Sequence, residues 1–139
     1  MNVAPEFSKK AIGTGSIDRA CVLYHHGVVC AEASADGIGF HPVGYPSDDG
    51  QINEQEDVQK YLRLGKIPPT GLRFFGKKFS VESTTPGREM VITGSGNGLE
   101  IIFVVTSKHI FVGQCIPGRG QSVGAMHAFV TEQAKLSNL

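Results

Sequence analysis

Five histidines and three cysteines are the side chains best suited to metal or nucleophilic chemistry in this chain, and their spacing organises neither. His25, His26, His41, His109 and His127 include no pair four residues apart, the separation that would set two imidazoles on one helix face for a metal. His25 and His26 are adjacent, so on a strand they would point to opposite faces. Cys21, Cys30 and Cys115 form neither an even disulfide set nor a Cys-x-x-Cys pair, and they read as reduced, buried or half-buried small residues. A Cys-His or Ser-His-Asp nucleophile depends on convergence in space. The expectation is no catalytic residue, no metal and no cofactor: a binding protein rather than an enzyme.

Gly94-Ser95-Gly96-Asn97-Gly98 has the composition of a phosphate loop, but such a loop must lead from a strand into a helix N-terminus, where backbone amides converge. Here β-forming residues follow, so a hairpin turn is expected, and Gly13-Thr14-Gly15 has the same weakness. Lys9-Lys10 and Lys77-Lys78, with Arg73, Arg88 and Arg119, are ordinary solvated cations or a basic face suited to an acidic protein or to phosphoinositide headgroups. Thirteen basic residues balance thirteen acidic ones, so no global field draws in nucleic acid or an anionic membrane. The longest apolar run, residues 101–105, is far too short to span a bilayer, and no secretion signal is evident. A cytoplasmic protein is expected, with one domain over residues 1–139.

The elements that must position these residues follow from local pattern. Residues 6–12 are compatible with a helix too short to persist unless it docks. Residues 17–24 and 28–33 form a hairpin around His25-His26-Gly27, with Cys21 and Cys30 at mirrored distances from its turn. Residues 36–51 are a loop of unusual length whose Ile38, Phe40, Val43 and Tyr45 favour partial packing. Asn53 caps a helix running to Leu64, which Gly65 and Pro68-Pro69 stop. Residues 72–75, 79–82, 89–92, 99–105 and 110–116 are successive strands with short connections. Residues 121–136 place Val123, Met126, Val130 and Leu136 on one face of a closing helix. The fold class is α+β, an antiparallel meander flanked by N- and C-terminal helices.

In order and spacing the pieces from Gly71 onward resemble the second half of profilins. Gly71-Leu72 runs into Gly76-Lys77-Lys78-Phe79-Ser80-Val81; Thr85-Pro86-Gly87, the glycine-rich hairpin and a last strand then lead to Pro117-Gly118-Arg119-Gly120-Gln121, where profilins carry Pro-Gly-Gln. The resemblance implies binding of monomeric actin at its barbed-end face, control of polymerisation and loosened nucleotide. By position the surface would hold Pro69, Lys78, Ser80, Arg88, Arg119, Gln121 and Val123, in a monomeric, cytoskeletal protein.

The departures concern the groove in which profilins stack proline-rich ligands on indole and phenol rings between the terminal helices. This chain has no tryptophan and offers only Phe7, His127 and Phe129 there, so weak or absent polyproline binding is expected. The missing tryptophan and the 36–51 loop are similar to the divergent profilins of Asgard archaea. The alternative is a longin, roadblock or PAS-like sensory or scaffold domain, which would share the meander and bind through its sheet.

Overall fold

The computed structural model describes residues 4–13, 15, 17–48, 50–62, 67, 71–85, 90–116 and 123–136, with the side chains of 4–6, 83, 85, 123, 125 and 134–136 left aside. The expected segments at 63–66, 68–70, 86–89 and 117–122 lie outside the described residues. Seven strands form one antiparallel sheet in the order β2-β1-β9-β8-β7-β6-β5, curled into a half-barrel. They are β1 (Arg19–Tyr24), β2 (Val29–Ser34), β5 (Leu72–Phe74), β6 (Lys77–Thr85), β7 (Met90–Gly96), β8 (Leu99–Val105) and β9 (His109–Cys115). A separate hairpin pairs β3 (Gly44–Ser47) with β4 (Gly50–Asn53). The class expected from the sequence is the class observed.

Alternation along the strands sorts side chains onto two faces. Strand β8 lies in the middle and is buried on both: Ile102 and Val104 face one cluster, Ile101, Phe103 and Val105 the other. That is why its apolar residues run without interruption instead of alternating with polar ones. The first face is closed by α1 (Ala4–Gly13), packed on β1 and β2, and α3 (Val123–Leu136), packed on β8 and β9. Helix α1 docks rather than frays: Phe7 is 2% exposed and meets Phe111 edge-on at 5.1 Å and Phe129 in a stacked arrangement at 6.0 Å.

The second face is closed by α2 (Glu54–Asp57) and by the loop that precedes it. Asn53 caps α2 as expected, its side chain accepting from the Glu56 amide at 3.2 Å. The segment does not continue as a regular α-helix. It widens into a π-type turn over Val58–Leu62, which keeps Val58 and Leu62 both buried against the sheet. The 36–51 stretch is also more ordered than expected, since it holds most of the β3–β4 hairpin and inserts Phe40 fully into the core; Ile38 stays 69% exposed.

Turn chemistry explains the connections. Phe75-Gly76 and Asn97-Gly98 have positive φ at both positions, the backbone of tight hairpin turns. The glycine-rich string is thus the end of β7 and its turn, as its composition and context suggested. Gly27, at φ +88, turns β1 into β2 directly beneath α2: a Cβ there would sit 2.6 Å from the Gln55 carbonyl oxygen. The mirrored distances of Cys21 and Cys30 from the turn do not make them neighbours. Cys21 lies opposite Glu32, a bulge displaces Cys30 from the register, and the two cysteines pack into clusters on opposite faces.

Candidate protein-binding face

The strand carrying Lys78 and Ser80 is held in place by its neighbour. Strand β6 alternates inward Phe79 with exposed Lys78 and Ser80, and it pairs with β7 through Ser80 and Ser95. A Cβ on Gly96 would lie 2.3 Å from the Lys78 carbonyl oxygen, and one on Gly94 2.9 Å from that of Ser80. The two glycines therefore let β6 approach more closely than any side chain would permit. Asn97 adds a bond from its Nδ2 to the Lys78 carbonyl at 3.1 Å, and Ser95 Oγ donates to Glu82.

Because α1 and α3 lie over β1, β2, β8 and β9, this end of the same sheet face carries a polar strip of Lys78, Ser80, Thr93, Ser95 and Glu100, exposed or half-exposed. Such a mixture of charge and hydroxyl on a rigid sheet has a polarity compatible with a non-obligate interface, which in composition resembles the rest of a protein surface. Of the seven positions expected to touch a partner, the structure brings Lys78 and Ser80 together on one strand. Val123 opens α3, while Pro69, Arg88, Arg119 and Gln121 lie outside the described residues.

Phe7 and Phe129 do meet between the terminal helices, and His127 is exposed on α3. Phe7, however, is spent on the core and presents no open ring face. The basic pairs do not share one face: Lys9 and Lys10 are exposed on α1, whereas Lys77 and Lys78, as strand neighbours, project to opposite sides of β6.

The residue that organises the opposite side is Glu54, the first residue of α2. It is fully buried. Its Oε1 accepts from the amides of Val43 at 3.0 Å and Phe75 at 2.6 Å; its Oε2 accepts from the Gly76 amide at 2.8 Å and the Tyr45 hydroxyl at 3.0 Å. One carboxylate thereby ties the long loop to the β5–β6 turn. One of the amides it pairs belongs to Phe75, a bulky residue held at φ +49. Burial pushes the Glu54 carboxyl up from the ordinary glutamate value, and its hydrogen bonds with Gly76, Val43, Tyr45 and Phe75 pull it back in part. No residue-type pattern announces this arrangement; its one signal is an acid directly after a capping asparagine at the end of an apolar-dotted loop.

Among the described residues, no group of three or more His, Cys, Asp or Glu side chains could hold a metal. Burial raises the Cys21 thiol well above its usual value, with Glu32 adding to it, and pushes Cys115 up to about 12, so neither supplies a thiolate at neutral pH. Burial, His25 and Lys108 push His109 down, and His25 is engaged at 2.7 Å with the Thr106 carbonyl. Gly120-Gln121-Ser122-Val123-Gly124 has the Gly-x-Ser-x-Gly spacing of a nucleophile elbow. That motif needs an acid and then a histidine later in the chain. Here His127 precedes Glu132, both on α3, and Ser122 lies outside the described residues.

A curled antiparallel sheet with terminal helices on one face and a short helix and hairpin on the other defines a small α+β domain of the profilin-like architecture. No protein-family model and no curated protein matches the chain. Solved structures do. Profilin IA of Acanthamoeba castellanii superposes with a TM-score of 0.69 at 19% identity, covering 98% of this chain and 96% of that one. Profilin II of the same organism gives 0.65 at 16% identity over 94% and 93%, and Schizosaccharomyces pombe profilin gives 0.64 at 22% over 95% and 97%. What the chain shares with them at these identities is the fold, over nearly its whole length.

Proposed function

We propose that this protein binds monomeric actin as profilins do, using the polar strip of β6 to β8 together with the chain entering β5 and α3. The observation that carries this reading is the likeness of fold along nearly the full length of both chains, with Lys78 and Ser80 exposed on a strand fixed by Gly94 and Gly96. Pro69, Arg88, Arg119, Gln121 and Val123 complete the surface. The bound monomer would be withheld from pointed-end growth, delivered to barbed ends and loosened in its hold on nucleotide. Phosphoinositide headgroups would compete through Lys78, Arg88 and Arg119. Proline-rich peptides would bind weakly or not at all, because Phe7 is buried and no indole is present. The protein would act as a cytoplasmic monomer of one domain, and its long loop and missing tryptophan support reading it as a divergent profilin similar to those of Asgard archaea.

Pyrene-actin polymerisation at rising protein concentration, with a pull-down of monomeric actin, tests the reading. Slowed assembly with saturable binding supports it. No effect on actins from several sources overturns it in favour of a sensory or scaffold domain.

A further inference from the structure

On the face away from α1 and α3, where β1 begins and β9 ends, a cleft of about 290 Å³ opens between Arg19, Asp36, Phe75, Lys77, Leu99 and Gln114. That volume lies at the small end of ligand pockets, about 300 Å³. Most of its polar groups are already committed. The Arg19 guanidinium donates to Asp36 at 2.6 Å and to the Gly39 carbonyl at 2.9 Å, and it lies 4.9 Å from the centre of the Phe75 ring. Asp18, also on the wall, accepts from the Ile116 amide at 3.0 Å.

Two demands remain. Gln114 is 4% exposed, and its buried Oε1 has no hydrogen-bond partner, a costly state for an interior amide. Rotation of that amide about its last torsion lets either polar atom face the cleft, to accept from or donate to another amide. The Lys77 ammonium makes no ion pair with another described residue, although the side chain lines the cleft. The remaining wall is apolar, from Phe75, Leu99 and Ile116.

A ligand that meets both demands carries an amide and a single negative charge a few bonds apart, with a short apolar body. A phosphate would bring a second charge against Asp18 and Asp36. We propose that the cleft binds an N-acylated apolar α-amino acid, free or as the last residue of a polypeptide. Its carboxylate would pair with Lys77, its amide with Gln114, and its side chain would lie on Phe75 and Leu99. The site is on the opposite side of β6 from the proposed actin strip, so it stands or falls independently of that reading.

Titration of the 15N-labelled full chain with N-acetyl-leucine, N-acetyl-leucinamide, and a leucine-ended tetrapeptide with free or amidated terminus tests this. Saturable amide shifts confined to residues around Asp18, Phe75, Lys77 and Ile116 are expected. Affinity should fall about tenfold on amidation and in Lys77→Met or Gln114→Met, the loss of one charge-assisted or buried hydrogen bond. Equal affinity for N-acetyl-leucine and the tetrapeptide supports a free small molecule, and a tighter tetrapeptide supports a chain end. Absence of saturable shifts at millimolar ligand, or equal binding of the amidated forms, overturns the proposal. Lys77 is exposed, so Lys77→Met keeps the test decisive if Gln114→Met fails to fold.

Discussion

The two faces of the sheet are closed by different physics. Under α1 and α3 the seal is hydrocarbon and ring edge: Phe7, Ala11, Phe111, Met126 and Val130. Under the long loop and α2 an apolar layer is also present, but a single buried carboxylate, Glu54, fastens three backbone amides and a hydroxyl above it. An apolar seal is graded and tolerates repacking, whereas a polar hub fails as a unit, since each donor it releases is left unpaired. The helical face should therefore resist change and the loop face should switch.

Phe111→Ala should be the costliest disturbance, lowering unfolding free energy by about 4 kcal/mol in urea titrations through a cavity between α1 and the sheet. Glu54→Ala should cost about 3 kcal/mol, with accelerated hydrogen exchange confined to the amides of Val43, Phe75 and Gly76. Exchange that spreads evenly over both faces would erase the contrast.

A smaller effect sharpens it through pH. Folding raises the Glu54 pKa, so the native state holds a proton across a window in which the unfolded chain has released it. Stability is then greatest below the ordinary glutamate value and falls as pH rises through the raised one. Glu54→Gln should abolish that slope, and an unchanged slope would assign the dependence elsewhere. Smallest of all, Lys78→Glu should shift stability by less than about 0.5 kcal/mol while weakening actin binding, an exposed reversal that opposes an acidic partner. Undiminished binding would remove Lys78 from the surface.

The second-half strands were legible because their alternation, the Gly76 and Gly98 turns and the unbroken run of β8 are all local signals. Helix α3 was legible for the same reason. The β3–β4 hairpin was not, because Pro46 and the glycines of residues 36–51 obscure any alternation. The π-type turn at Val58–Leu62 differs from an α-helix by hydrogen-bond choice, not by composition. The burial of Glu54 and Gln114 was not legible, because it is created by segments distant in sequence and no local window contains both partners. Lys78 and Ser80 were offered by the resemblance to profilins rather than by any local pattern; the alternation of β6 accounts for their exposure, while the limits of the strip depend on where α1 and α3 lie.

The sheet order also dictates when the molecule can become itself. Strand β1 joins the meander only through β9, Arg19 pairing with Gln114 and Tyr24 with His109. During synthesis the first hairpin must wait, its inner edge open, until nearly the whole described chain has left the ribosome. Closure of so long a loop is an entropic toll levied before any contact repays it. The β1–β9 seam should thus be the last to set, making late, C-terminal events the arbiters of folding speed.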